Sequence, residues 1–365
     1  MILLHGSVKF ILCVINVIAL NIVIIFQKIL NKKKIIIFYQ PNQKLLNIHT
    51  YYIEKLFEKK NNKYYVIYLH QNYSFTKKNY FFIIDYFCNY IYNCDFFISN
   101  NVCDSFTPNS INIYIHHDIF DTPLVIAKKE KTLRDRLLKY NHILLASGLA
   151  KKIFINLFGL TMKPNIEIIG YFKLDFLLNE KIKKTKVPTI IIAPTDYKAF
   201  PQFSLYKDAI LIINYILKKT NLNVVFRPHP SNIGSKKLIN LLGHFKENER
   251  VILDDSHNYQ ETYNSANLMI TDISGTAYTY AFLTKKPVIF YCSFNKRLEN
   301  KFKNLSYFKE RNTIGMTVRG KNQLHKLNLI LNNKKKYEKN INQLIKENIK
   351  IGKTKSNLFK FLNKN

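Results

Sequence analysis

Two short runs in the second half of the chain combine residue types that handle phosphate. Arg227-Pro228-His229-Pro230 sets a guanidinium and an imidazole among two prolines. Proline fixes its own φ and restricts the residue before it, so Arg227 and His229 sit in a stiff, extended loop. Two such groups held together suit a phosphate or diphosphate. The bland alternative is a turn with a surface arginine and a capping histidine. The second run is Thr271-Asp272-Ile273-Ser274-Gly275-Thr276-Ala277. Asp272 and Ser274 are good helix caps, and Gly275 lets a ligand approach the backbone. N–H groups at a helix start, with the positive end of its dipole, attract an anion, and the Ser274 and Thr276 hydroxyls add donors. A plain capped helix would read the same in isolation. Together the two runs are more specific, because both follow strands of one series.

Those strands are legible as short β-branched runs: TIIIAP (189–194), LNVVFRPHP (222–230), VILDD (251–255), NLMITD (267–272) and PVIFYC (287–292). Helices are expected at 205–218, at 238–245 and from near Gly275. The first half repeats the pattern with KIIIFYQ (34–40), YYVIYLHQ (64–71), CDFFISN (94–100), INIYIHH (111–117), HILLASG (142–148) and IEIIGY (166–171). Helices are expected there at 80–92, 128–140 and 150–158. Apolar strands alternating with helices build buried parallel sheets. The expected fold class is therefore α/β, two Rossmann-like domains facing a cleft, with ligands at the carboxyl ends of the strands. The expected division is an apolar helix with its basic flank at 1–33, a first domain at 34–177 and a charged linker at 178–188. A second domain follows at 189–330, and a Lys/Asn-rich helical extension at 331–365.

Residues 10–26 read FILCVINVIALNIVIIF, apolar except for Asn16 and Asn21, with Lys9 and Lys28 on its flanks. The run is slightly short for a hydrocarbon core but within the spanning range. No small-residue cleavage pattern follows it, which argues against a removed signal peptide. Lys28, Lys32, Lys33 and Lys34 would keep its carboxyl end cytoplasmic. The expectation is a membrane anchor or embedded helix; the alternative is a buried part of the first domain.

With 365 residues, 47% hydrophobic and 22% charged, the chain is a folding one and not a disordered tail. The net charge of +32 comes mostly from lysine, since only seven of 56 basic residues are arginine. Lys, Asn, Ile, Tyr and Phe share AT-rich codons, so much of this charge is compositional. The rest favours anionic lipid or anionic substrates. Lysine spread along the whole chain does not make a nucleic-acid site, which wants clusters around exposed aromatics. The five cysteines match no zinc or CxxC spacing and read as reduced core residues.

RPHP followed by TDISGTAYTYAFLTKKPVIFY resembles the carboxyl-terminal signature of the CDP-glycerol glycerophosphotransferases, teichoic-acid and capsule enzymes of the GT-B fold. That family shows [KR]-P-H-P, then T-D-Y-S-S, a helix and K-P-[IV]-I-F-Y. GYFKLD (170–175) is similar to its G-x-P-R-x-D segment, and IIIAPTD (190–196) to its A-P-T strand exit. The resemblance spans about residues 110–325. Three departures stand out. Ile273-Ser274-Gly275 replaces Tyr-Ser-Ser, Lys173 replaces the arginine, and Cys292-Ser293 follows the F-Y.

The family also carries a histidine at a strand end in a W-H-G-T-P-like segment. Here the strand reads IYIHHDIFDTPL (113–124), which puts His117 on that histidine and Asp118 on the glycine. The resemblance implies a catalytic base at His117, with His116 the alternative; a histidine suits a base working near neutral pH. Asp118 or Asp121 could orient it. It further implies His229 as a catalytic residue, and Arg227, Thr271, Asp272, Ser274, Gly275 and Thr276 as donor-binding. No metal and no cofactor are expected. Asp254-Asp255 reads as a turn.

The expected activity is transfer of a polyol phosphate, glycerol phosphate first, from a CDP-activated donor to a hydroxyl of a bacterial surface polymer, with release of CMP. Domain 34–177 would then hold the acceptor and 189–330 the donor. Expected partners are a CDP-polyol or nucleotide-sugar donor, a membrane-linked polymer acceptor and an anionic membrane surface. The expected location is the cytoplasmic face of the bacterial inner membrane. A GT-B glycosyltransferase acting on a nucleotide sugar is the alternative. A non-enzymatic protein binding anionic polymer or lipid would not need the RPHP or TDISGT runs.

Overall fold

The computed structural model describes residues 2–40, 46–57, 63–71, 79–120, 130–159, 164–179, 188–256, 259–292, 299–300 and 303–365. The chain forms two compact units. The first comprises Met1–His117, Lys129–Leu145 and Phe154–Ile168; the second comprises Asp118–Lys128, Ala146–Ile153 and Ile169–Asn365.

The first unit is built on strands whose apolar residues run without alternation. β1 (Lys34–Gln40) buries Ile35, Ile36, Ile37, Phe38 and Tyr39 completely, so both of its faces are covered. β2 (Tyr64–His70), β3 (Tyr80–Phe82), β4 (Phe96–Ser99), β5 (Ile111–Ile115), β6 (His142–Leu145) and β7 (Asn165–Ile168) complete the sheet. Among the described residues it has seven parallel strands in the order β3-β2-β1-β4-β5-β6-β7. The order reverses between β1 and β4, so the loops leaving their carboxyl ends diverge and open a crevice there.

The second unit repeats the plan with β8 (Thr189–Ala193), β9 (Asn223–Phe226), β10 (Val251–Leu253), β11 (Ala266–Thr271), β12 (Val288–Cys292) and β13 (Gly315–Arg319). Six parallel strands among the described residues run β10-β9-β8-β11-β12-β13, and the reversal lies between β8 and β11.

Three expectations are corrected. Residues 80–92 are not a helix. They form the edge strand β3 and a 3₁₀ turn, Asp85–Tyr90. Phe82 and Ile83 are buried there by pairing with β2 and by the N-terminal helix, which a helical reading of the same apolar run could not foresee. The helix expected at 205–218 opens as a 3₁₀ turn, Leu205–Asp208, before Ala209–Lys219. Strand β13 was not foreseen: it is short and half-polar. Most of the expected linker, 180–187, and residues 121–124, with Asp121, lie outside the described residues.

The apolar N-terminal run is a helix, Ile2–Ile29, of 28 residues. One stripe is buried on the first unit through Cys13, Leu20 and Ile24. Polar pins fix it. Asn16 donates to the Phe82 carbonyl, Asn21 donates to the Tyr90 carbonyl and accepts from the Tyr92 N–H, and Lys28 pairs with Asp95 at 3.1 Å. The other stripe, Ile11, Ile15, Ile18, Ile22, Ile25 and Ile29, is exposed. That spacing of three and four residues traces one helix face. The helix is long and apolar enough to cross a membrane. All five cysteines are buried and unlinked.

Candidate functional site

In the first unit the crevice between β1 and β4 is spanned by amides. Gln40, the last residue of β1, donates to the Asn100 side chain at 3.0 Å, and Asn101 donates back to Gln40 at 2.6 Å. Gln40 and Asn100 are fully buried. The Asn100 carbonyl meets Nδ1 of His117 at 2.9 Å. A carbonyl only accepts, so Nδ1 carries the proton and Nε2 is the basic nitrogen. His117 is half-buried, just beyond β5.

His116 faces the other way. It is 2% exposed, its Nδ1 lies 3.1 Å from the Tyr114 hydroxyl, and its ring packs edge-on against Phe154. The alternation along the strand thus separates a core histidine from a site histidine. Sequence reasoning missed Gln40 and Asn100. Their one visible signal was a polar residue ending an apolar strand.

In the second unit the crevice between β8 and β11 is spanned by one carboxylate. Asp272 accepts from the Thr195 N–H at 3.0 and 3.1 Å, the Leu205 N–H at 2.8 Å and the Ile273 N–H at 2.6 Å. Burial pushes its pKa up to about 6, against the pull of those hydrogen bonds and of Arg311. Its carbonyl accepts from Arg311 at 2.9 Å. Arg311 is itself buried, over the rings of Phe290, Tyr307 and Phe308. Asp272 is fully buried and its carboxylate is taken up by backbone N–H groups, so its side chain frames the loop. Thr271 is fully buried too, and its hydroxyl donates to the Ala193 carbonyl at 2.5 Å. Arg311 gave no signal in the sequence.

Above that frame the loop is accessible. Ser274, Gly275 and Thr276 are half-buried, and the helix Thr276–Thr284 starts with Gly275 as N-cap and no side-chain cap. The Thr276 hydroxyl contacts the Tyr263 hydroxyl. The Ser274 carbonyl accepts from the Tyr307 hydroxyl at 3.0 Å.

The RPHP loop leaves β9. Arg227 does not reach outward as a ligand cation would. Its guanidinium pairs with Asp254 at 2.6 Å, donates to the Ser256 carbonyl at 2.8 Å and lies over the Tyr259 ring. Burial favours protonated Asp254, but the Arg227 charge and hydrogen bonds from Ser256, Thr262 and Arg227 overcome it and hold the pKa below the usual value. Asp254 therefore anchors the loop rather than merely closing a strand.

His229 is half-buried, and its Nδ1 accepts from the Ser231 N–H at 3.2 Å. Nδ1 is therefore unprotonated, and Nε2 holds the proton of the neutral ring. Burial lowers the pKa of His229; Asp196 and Asp118 oppose that shift, and Lys173 adds to it. Asp196 is held by Asn232 at 2.7 Å.

The GYFKLD segment divides its work. Asp175 accepts from Gly352 at 2.6 Å and Thr354 at 2.8 Å, which caps the helix Thr354–Lys364. Gly170, at φ +104°, packs so closely on Thr354 and Lys350 that no side chain fits. Lys173 lies within electrostatic reach of Asp118, whose charge opposes the lowering of the lysine pKa by burial.

The sequence profile of the CDP-glycerol:poly(glycerophosphate) glycerophosphotransferases matches residues 22–350. Over 75 residues the chain is 37% identical to the minor teichoic acid biosynthesis protein GgaB of Bacillus subtilis strain 168, a match covering 20% of this chain and 8% of that protein. The wall teichoic acid polymerase TagF superposes with a TM-score of 0.63 at 15% identity, covering 98% of this chain and 96% of that one. A variant of TagF soaked with CDPG gives a TM-score of 0.63 at 16% identity over 99% and 98% of the two chains. The UDP-GlcNAc 2-epimerase of Methanocaldococcus jannaschii, in complex with UDP-GlcNAc and UDP, gives 0.56 at 14% identity over 91% and 100%. These likenesses show the fold, which is GT-B.

Proposed function

The chain belongs to the CDP-glycerol:poly(glycerophosphate) glycerophosphotransferase family, and from that premise we propose that it transfers a polyol phosphate from a CDP-activated donor to a hydroxyl of a teichoic-acid-like polymer. Glycerol phosphate is the first choice. The observation that carries the assignment of roles is the opposite tautomers of His117 and His229. Nε2 of His117 accepts the proton of the acceptor hydroxyl. The oxygen forms a bond to the β-phosphorus, the bond from that phosphorus to the bridging oxygen breaks, and CMP leaves. Nε2–H of His229, the Ser274 hydroxyl and the N–H groups at the start of the Thr276–Thr284 helix hold the diphosphate as charge grows on the leaving phosphate. Residues 34–177 carry the acceptor and 189–330 the donor. Arg227 acts through the shape of its loop.

The test is nucleotide release by the purified protein with a teichoic-acid-type acceptor. CMP from CDP-glycerol or CDP-ribitol is the expected product. A nucleoside diphosphate from a nucleotide sugar, with no CMP from either CDP-polyol, would overturn the proposal in favour of glycosyl transfer.

The exposed isoleucine stripe and the lysines at 28 and 32–34 support a site of action on the cytoplasmic face of the inner membrane. Because the opposite stripe is pinned to the first unit, the helix would lie in the membrane surface rather than stand free of the protein. Replacing Ile11, Ile15, Ile18 and Ile22 together by glutamine should release the protein from vesicles rich in anionic lipid without lowering Tm. Retention on the vesicles would assign binding to the basic surface instead.

A further inference from the structure

Two of the departures from the family pattern meet in space. Asp118 stands where the resemblance gives a glycine, and Gly275 where it gives a serine. A Cβ placed on Gly275 would lie 2.5 Å from Asp118 Oδ1, 3.0 Å from its Cγ and 3.3 Å from Oδ2. Side-chain carbons do not approach oxygen that closely, so the carboxylate sits on the Cα of Gly275 and any side chain there must displace it.

Asp118 has little room to yield. The next residue, Ile119, accepts the Ser147 hydroxyl on its carbonyl at 2.7 Å. Phe120, 1% exposed, packs edge-on against Tyr278 and Phe282 of the Thr276–Thr284 helix. The segment is thus fastened to the helix that Gly275 caps. Lys173 and His229 both feel the charge of this carboxylate, so it lies within electrostatic range of both.

A carboxylate there cannot serve the diphosphate itself, because two anions in contact repel. An ionised carboxylate only accepts hydrogen bonds, and the donors in a CDP-polyol are hydroxyls and the cytosine amine. Asp118 directly follows His117 in the chain. Consecutive Cα atoms are about 3.8 Å apart. The residue beside the base belongs at the reacting end of the donor, the end that bears the polyol.

We propose that Asp118 is a specificity-determining residue of this chain: seated on Gly275, its carboxylate accepts hydrogen bonds from hydroxyls of the polyol being transferred. This rests on the polyol-phosphate reading above. Gly275 is its steric counterpart, so the pair exchanges a hydroxyl on one loop for a carboxylate from another.

Calorimetry with CDP and with CDP-glycerol separates the possible roles. Asp118→Asn keeps the shape and removes the charge. It should weaken CDP-glycerol binding about tenfold, the scale of one hydrogen bond to a charged group, and leave CDP within about twofold. Equal weakening of both ligands would show that Asp118 reads the nucleotide, and no change in either would show that it only packs; both results overturn the inference. A second measurement tests the pair without a ligand. Gly275→Ser should lower Tm, and Asp118→Gly with Gly275→Ser should restore it; a double variant no more stable than Gly275→Ser overturns the steric coupling. If the wild-type protein releases no CMP from any CDP-polyol, the transfer reading has failed. If it does, and Asp118→Asn weakens CDP equally, this inference alone has failed.

Discussion

The two units close the same topological gap with different chemistry. In the first, the exits of β1 and β4 are tied by neutral amides, Gln40 to Asn100. In the second, the exits of β8 and β11 are tied by a buried carboxylate, Asp272 to the Thr195 and Leu205 amides. Each unit also holds a histidine by its Nδ1. The first leaves His117 with Nε2 as a base; the second unit leaves His229 with Nε2–H as a donor. A neutral tie adds no charge beside the His117 ring, which suits the base proposed there. A carboxylate consumed by backbone N–H groups makes the second unit's loop rigid while keeping its own charge away from the anion proposed to bind there. One fold used twice thus yields a proton acceptor and a proton donor through the partner of Nδ1 alone.

The largest effect should come from the base. His117→Ala should lower turnover by roughly 10²–10⁴ while donor affinity stays near normal, checked by single-turnover kinetics with calorimetry. His116→Ala should instead cost stability, about 2 kcal/mol by urea unfolding, as loss of a packed core ring. A turnover collapse in His116→Ala with His117→Ala still active would move the base one residue along the strand.

Next comes the donor histidine. His229→Ala should lower turnover by roughly 10²–10³, as loss of a positioned hydrogen-bond donor does. Glutamine sharpens the contrast, because its amide restores an N–H but not a base. His229→Gln should retain at least about tenfold more activity than His229→Ala, whereas His117→Gln should be no better than His117→Ala. Equal behaviour of glutamine at both positions would erase the proposed distinction between them.

A smaller effect is expected at Arg227. Arg227→Ala strands Asp254 and should destabilise the protein by about 3 kcal/mol. Removing Asp254 as well should recover part of that loss. Turnover of the folded variant should fall less than in His229→Ala. A fall as deep would mean that Arg227 leaves Asp254 to grip the donor.

The smallest effect concerns pH. Burial holds the pKa of His229 below its ordinary value. As pH drops below about 6.5, the unfolded chain takes up a proton at this position that the folded ring resists. Stability contributed at this position is present above that pH and lost as pH falls through the folded value. Urea unfolding at pH 7.5 and 5.5 should show a steeper acid loss in the wild type than in His229→Gln. Identical slopes would remove the desolvated imidazole from the donor side.

The strands were legible because parallel strands buried on both faces leave uninterrupted β-branched runs, as in β1 and β8. The edge was not: Tyr80–Phe82 is too short for a period to show, and its neighbours suggested a helix. The site was legible as two loops but not in the direction of its side chains. Thr271 and Asp272 look like ligands, yet they turn inward because strand exits need their own backbone groups satisfied. Arg227 looked like a free cation because its partner, Asp254, lies 27 residues on. Arg311 was invisible because burial of a polar residue leaves no periodicity, and Asn100 showed only as a polar residue ending an apolar strand.

The frame under the Ser274 turn bears on how such an enzyme diversifies. The turn's shape is dictated from beneath, by a carboxylate reaching segments 67 and 77 residues away and by Arg311 39 residues beyond it. The half-buried Ser274 side chain, which takes no part in those contacts, carries little of that burden. Selection on what is bound is therefore uncoupled from selection on folding. A lineage built this way accumulates new preferences by altering a few outward residues and meets strong purging only at the hidden scaffold. A random library at 274 should accordingly yield a high fraction of soluble variants, and libraries at 272 and 311 a low one.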